Sequence, residues 1–283
     1  MRFAKGHGTG NDFVVVPDVD GELDLTADLV RALCDRHRGI GADGVLRVVR
    51  TAAAGENQAA EWFMDYRNAD GSAAEMCGNG VRVFARYLIE AGLATGPELA
   101  VATRSGLRAV RAEADGRFTV DMGPVAVRGE GAVQAGGQLL RGIAISVGNP
   151  HLACVVDEPL DAIDLGAPRV LGEAALAGVN VEVVRVLGEH EIAMRVHERG
   201  SGLTLSCGTG AVAAAAAAAW SAGERPGEWL DAPWTVHVPG GTLAVTLGAT
   251  ASLLTGPAEI VARGRIEDSW LARHRPAPEV GSG

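Results

Sequence analysis

Apolar residues along this chain gather into short runs separated by turns, and only a few segments carry a helical stripe. Residues 13–16, 44–49, 107–111, 118–122, 143–147, 152–156, 181–186, 192–196, 234–238, 243–247 and 259–263 each read as a strand. Thr26 stands where it can cap a helix reaching about Arg36, with Leu29, Val30 and Leu33 on one face. A second helix is predicted from about Asn79 to Ala91, with Val81, Phe84, Ala85 and Leu88 inward and Gly92 as its stop. A third runs from about Thr209 to Ala222 and stops at Gly223. Its alanine run at 213–219 suits a helix buried on every side. Many strands and few helices predict an α+β fold.

The same order of parts occurs twice. Gly10-Asn11-Asp12-Phe13 leads into one apolar run and Gly148-Asn149-Pro150-His151 into another. Met76-Cys77-Gly78-Asn79-Gly80 opens the second helix, and Ser206-Cys207-Gly208-Thr209-Gly210 opens the third. Asn68 lies nine residues before Cys77, and Glu198 lies nine before Cys207. The repeat predicts two homologous halves that face each other, with a boundary near Gly123-Pro124: residues 1–122 and 123–256. The tail at 273–283, rich in Pro and Gly, is expected to be disordered.

A length of 283 residues accommodates two cores, and 47% hydrophobic with 21% charged residues is the composition of a globule. The formal charge of −10 argues against nucleic acid, whose phosphates require clustered Lys and Arg. The longest apolar stretch, near 211–220, is short of the roughly 20 residues that span a bilayer, and no signal-peptide core follows Met1. A cytoplasmic protein with no membrane partner is expected, its four cysteines reduced. No cysteine has zinc spacing, so no metal is expected. No phosphate loop or dinucleotide fingerprint is visible, so no cofactor is expected either.

Each of Cys77 and Cys207 sits in a glycine-rich turn just before a helix. There the partial positive charge of the helix N-terminus is expected to lower a thiol's pKa, and the free N–H groups can hold a substrate carboxylate. Two such stations suit inversion of a carbon: one thiolate removes a proton from one face, and one thiol delivers a proton to the other. The helix ends would stabilise the enolate-like charge that forms between those steps. A buried structural cysteine is the commonest alternative for a single free thiol. Cys34 and Cys154 lack the glycine turn and read as packing residues.

The stretches Lys5-Gly6-His7-Gly8-Thr9-Gly10-Asn11-Asp12-Phe13, Gly39-Ile40-Gly41-Ala42-Asp43-Gly44, Arg67-Asn68-Ala69-Asp70-Gly71-Ser72, Val179-Asn180-Val181 and Glu198-Arg199-Gly200, with the two cysteine turns and Gly148-Asn149-Pro150-His151, resemble the motif set of the diaminopimelate epimerase family, in family order. The resemblance implies two α/β halves, each a mostly antiparallel sheet wrapped around a central helix, with the active site in the cleft between them. It also implies that a C-terminal segment, 257–272, completes the first half, and that the protein is a homodimer acting on the small molecule diaminopimelate. By the same resemblance Cys77 and Cys207 are the acid–base pair, assisted by His151 and Glu198. The backbone of Gly78, Asn79, Gly208 and Thr209 holds the reacting carboxylate. Asn11, Asn68, Asn149, Asn180, Glu198 and Arg199 hold the far end of the substrate, Arg199 gripping the distal carboxylate as a bidentate guanidinium can. Two positions depart from the family pattern: Leu203 stands where Glu is common, and Gly44 where Gln is common.

Three rival readings remain open at this level. A proline or hydroxyproline racemase shares the two-cysteine logic without needing Arg199 and the asparagines. A ligand-binding module on the same fold would need neither cysteine. A thiol redox sensor would pair Cys77 with Cys207 as a disulfide.

Overall fold

The computed structural model describes residues 1–172, 178–229 and 232–274. Two groups of strands repeat one pairing scheme. The first comprises β1 (Arg2–Gly8), β2 (Asn11–Pro17), β3 (Gly44–Arg50), β4 (Trp62–Asn68), β5 (Glu98–Thr103), β6 (Gly106–Ala112) and β7 (Phe118–Gly123). Along this series the pairings are antiparallel, parallel, antiparallel, parallel, antiparallel, antiparallel. The second group begins with β8 (Ala126–Ala135), β9 (Gln138–Ser146), β10 (Pro150–Val155) and a short β11 (Arg169–Leu171). It continues with β12 (Asn180–Gly188), β13 (Glu191–Glu198), a short β14 (Gly202–Thr204), β15 (Trp234–Val238), β16 (Gly241–Leu247) and β17 (Ser252–Gly256). From β9 through β10, β12, β13, β15 and β16 to β17 the pairings follow the same six-step order.

The two groups join where β17 runs antiparallel to β7. The last strand, β18 (Glu259–Arg265), returns to pair antiparallel with β1, as β8 pairs with β9. A mixed, largely antiparallel sheet results, with helices in the concavities, in agreement with the expected α+β class.

Each group of strands wraps one helix: α2 (Gly78–Glu90) in the first and α3 (Gly208–Ser221) in the second. Every residue of α3 from Gly208 to Ala219 is buried. Its alanines let strands approach on all sides, and their high helix propensity makes up for the missing polar face. Helix α1 (Ala27–Cys34) lies outside the first sheet, and the hydroxyl of Thr26 accepts the N–H of Leu29 as the sequence predicted. The chain turns extended at Asp35, one residue short of the expected end at Arg36. Helices α2 and α3 start one residue earlier than expected, at Gly78 and Gly208, because the cysteines themselves are the caps.

The strands β1, β4, β5, β8, β11, β14 and β17 and the short α4 (Asp268–Ala272) were not legible in the apolar pattern. Strand β4 carries Asp65, which is buried and neutralised by Arg67 at 2.8 Å and Arg104 at 2.5 Å. The ribbon β8 is mostly exposed, and its pairing with β9 is its support. Of the tail expected to be disordered, Arg273 and His274 follow α4, with the His274 ring 4.3 Å from that of Trp270. Residues 275–283 lie outside those described.

Candidate active site

The N-termini of α2 and α3 meet head to head. A Cβ added at Gly208 would lie 3.2 Å from the Cα of Gly78 and 3.5 Å from the backbone nitrogen of Asn79. Only residues without side chains permit this approach. Cys77 and Cys207 adopt the extended conformation of helix caps, and each sulfur accepts a backbone N–H three residues on, from Gly80 and Gly210, both at 3.4 Å. The Asn79 amide stitches the two helix starts together. It donates to the carbonyl of Ser206 at 3.1 Å, next to Cys207, while its own oxygen accepts from Arg82 at 2.8 Å.

A cavity of about 1060 Å³ opens over this junction. Asn11, Asn68, Cys77, Gly78 and Asn79 line it from one side, and Asn149, Asn180, Glu198, Arg199, Cys207, Gly208 and Thr209 from the other. Residues separated by up to 198 positions thus share one wall. His151 is the exception among the residues singled out in the sequence, because it does not line the cavity. It is fully buried behind Asn149, whose amide oxygen lies 3.0 Å from its Nε2, while its Nδ1 lies 2.6 Å from Glu182. Any part it plays passes through those neighbours.

Around Cys77, the thiol lies 3.5 Å from the Asn11 amide oxygen, and the Asn11 amide donates to Asp43 at 2.7 Å. Arg36 bridges Asp43 and Asp12, and Lys5 reaches Asp12 at 2.6 Å. Burial would raise the Asp12 carboxyl, but Arg36 and Lys5 overcome it and hold it at about 2. The network therefore stays charged and fixes Asn11. Around Cys207, the sulfur is 3.5 Å from the Thr209 hydroxyl, and Asn149 donates to that hydroxyl at 3.3 Å. Glu198 accepts from Thr204 at 2.5 Å, and its carboxyl is pushed above the usual range, mainly by burial. Asn180 accepts the backbone N–H of Arg199 at 2.8 Å, so it shapes the turn that presents the guanidinium.

Here the structure corrects an expectation. The sequence pointed to thiols lowered by the helix ends, yet burial outweighs those N–H groups. It pushes Cys77 up to about 11 and Cys207 well above its ordinary value, with Glu198 adding to both shifts. Burial thus keeps both sulfurs mostly protonated at neutral pH. Cys34, read as packing, is buried as expected but also reaches the cavity wall, with its thiol raised to about 12 by burial.

Gly44 also has a physical reason. A Cβ there would lie 2.5 Å from the Arg67 carbonyl oxygen and 2.7 Å from the Tyr66 ring, so Tyr66 occupies the space a longer side chain would need. Tyr66, Ser206, Arg36 and Asp43 all line the cavity, and sequence reasoning gave them no role. Asp43 and Ser206 lie inside quoted motifs, which was the signal available for them. Leu203 lines the cavity and is half exposed, leaving an apolar lip at its mouth. Among the described residues, no helix is long and apolar enough to cross a membrane.

A doubled sheet-and-helix unit, with one cysteine-capped helix end from each copy meeting under one cavity, defines the class of the racemase- and epimerase-fold proteins. Solved structures bear this out for the fold. A probable proline racemase from Agrobacterium radiobacter superposes with a TM-score of 0.69 at 16% identity, covering 94% of this chain and 93% of that one. A hydroxyproline epimerase from Agrobacterium vitis superposes with 0.64 at 18% identity, covering 93% and 91%. Within that class the chain belongs to the diaminopimelate epimerase family, whose sequence profile matches residues 3–127 and 143–261. It is 58% identical over 280 residues to the diaminopimelate epimerase of Thermobifida fusca, covering 96% of this chain and all of that one. It is 50% identical over 292 residues to that of Mycobacteroides abscessus, covering 95% and 97%.

Proposed function

We propose that this protein interconverts LL- and meso-diaminopimelate by inverting one α-carbon, as an isomerase serving lysine and peptidoglycan-precursor synthesis. One observation carries the reading: two cysteine-capped helix N-termini touch beneath a single cavity. The reacting carboxylate sits at the first-turn N–H groups of Gly78, Asn79, Gly208 and Thr209, which lack intrahelical partners by helix geometry. The ammonium on the same carbon brings a positive charge between the sulfurs and lowers the cost of a thiolate. One sulfur, as thiolate, takes the α-proton. The electron pair left on carbon spreads onto the carboxylate held by the two helix ends, and the other sulfur gives its proton to the opposite face. The first sulfur ends as thiol and the second as thiolate, so the reverse direction swaps their roles. Arg199, Asn11, Asn68, Asn149, Asn180 and Glu198 bind the distal amino-acid end.

In this reading the cleft lies between a first half, residues 1–122 completed by 257–272, and a second, 123–256. The working form is a cytoplasmic homodimer, as membership of the family suggests.

The test is proton NMR of LL-diaminopimelate with reduced protein in D2O and no added cofactor. The meso isomer should appear with deuterium at one α-carbon. Cys77→Ala and Cys207→Ala should each lose this by several powers of ten while remaining folded, because a one-base site cannot complete the inversion. Folded, reduced wild type that exchanges no deuterium overturns the proposal and directs the assay to proline and hydroxyproline.

A further inference from the structure

The repeat makes the two cysteine sites nearly superimposable, so the places where they differ are informative. The parallel register pairs Phe13 with Gly44 and Val15 with Leu46 in the first half. In the second it pairs His151 with Asn180 and Ala153 with Glu182. Phe13 therefore corresponds to His151 and Leu46 to Glu182. The helix floors confirm the correspondence. A Cβ at Gly80 would meet Leu46 at 3.3 Å and Phe13 at 3.5 Å, whereas a Cβ at Gly210 would meet Glu182 Oε1 at 2.8 Å and the Cys207 sulfur at 3.3 Å. The first turn of α2 rests on two apolar side chains. The first turn of α3 rests on a carboxylate.

Inside the helices the difference runs the other way: only the first half carries a charge. Five residues after Cys77 stands Arg82, and five after Cys207 stands Val212. Arg82 is fully buried, and among the described residues it hydrogen-bonds to oxygens of Gly78, Asn79, Thr9 and Pro257, none of them a carboxylate. Glu182 is also fully buried. One of its oxygens bonds His151 and the other, Oε2, has no hydrogen-bond partner among the described residues. Each half thus holds one buried charge beneath its cysteine turn, of opposite sign: Arg82, bonded to the carbonyl of Gly78 next to Cys77, and Glu182, under Gly210 beside the Cys207 sulfur.

The other ionisable groups do not make this distinction. Glu198 from β13 raises both thiols, and Tyr66 from β4 feels both. Asn11 from β2 and Thr209 on α3 are neutral. His151, from β10, stands on the far side of Glu182 and Asn149.

We propose that these two buried charges make the resting site electrically asymmetric, so that Arg82 makes Cys77 the first sulfur to ionise and Glu182, held by His151 under α3, keeps Cys207 as the acid. Glu182 touches no substrate and acts only through the field at Cys207. The raised thiols agree: Arg82 opposes the rise at Cys77, and Glu182 adds to it at Cys207.

This inference rests on the two-thiol reading, but its test needs no substrate, so a failure to turn over diaminopimelate leaves it standing. Reduced full-length protein is pulsed with iodoacetamide across a pH series, and alkylation at each cysteine is quantified by peptide mass spectrometry. In wild type the midpoint for Cys77 should lie below that for Cys207. In Glu182→Gln the Cys207 midpoint should fall by about one pH unit, a rise of about tenfold in alkylation at fixed pH, with Cys77 unmoved. A merely structural role for Glu182 would shift both profiles together or neither, and either result overturns the proposal. So does a wild type in which Cys207 ionises first or together with Cys77. If Glu182→Gln fails to fold, the wild-type order and the double variant Glu182→Leu with His151→Phe, which copies Leu46 and Phe13, decide it.

Discussion

A sulfur that caps a helix is pulled two ways. The N–H groups of Gly80 and Gly210 favour the thiolate, and burial favours the thiol, which prevails at both positions. The consequence is a pH dependence with a definite sign. A thiol held near 11 is only slightly ionised at neutral pH, and its thiolate fraction grows about tenfold per pH unit below that value. At sub-saturating diaminopimelate, kcat/KM should therefore climb between pH 6 and 8, and turn down only where the second thiol also ionises. A flat profile across that window would mean that one sulfur ionises well below it while the other stays protonated, and burial would then have been given too much weight at the first. At this scale the sequence was generous about identity and poor about state. Cys77 and Cys207 stood out through their glycine turns. Their protonation did not, because it depends first on burial and then on groups from other strands, Glu198 at both sulfurs and Glu182 at Cys207, which only folding brings near.

Helices were more legible than strands, for reasons visible in each. Thr26, Gly92 and Gly223 mark helix ends by local backbone chemistry, and Gly92 and Gly223 have φ of +68° and +96°. Strand β4 is held by pairing with β3 along its whole length, with its buried Asp65 neutralised from Arg104 as well as Arg67, and β8 is held by β9, and these supports are not local. The touching ends of α2 and α3 were likewise out of reach of sequence reasoning. Two substitutions separate what these elements do. Gly208→Ala places a methyl 3.0 Å from Leu254 and 3.2 Å from the Gly78 backbone, so the two N-termini must part. Turnover should fall at least tenfold with little loss of fold, measured by kinetics beside thermal melting. Thr26→Ala removes a cap far from the cavity. It should cost about 1 kcal/mol, roughly 2–4 °C in Tm, and leave kcat alone. The reverse pattern would separate the helix junction from catalysis.

Across the whole molecule, two homologous halves were foreseen from the repeated Gly-Asn and Cys-Gly motifs, whereas the order of strand pairings and the bridge between β7 and β17 were not. The backbones of Met1 and Ile266 are hydrogen-bonded to each other, so the beginning of β1 lies against the end of β18. In the second half the equivalent pair, β8 and β9, is joined by a two-glycine turn at Gly136 and Gly137, with φ of +54° and +82°. A chain opened at that turn and linked from residue 274 back to Met1 should fold and turn over diaminopimelate, as judged by circular dichroism and the exchange assay. Loss of cooperative folding would show that the order of synthesis matters as well as the contacts. Seen this way, the two halves are matching arcs that meet at two equivalent places, one open between β18 and β1 and one closed by the turn between β8 and β9. A descendant opened at the second place and joined at the first would carry the same chemistry under a sequence that reads as rearranged.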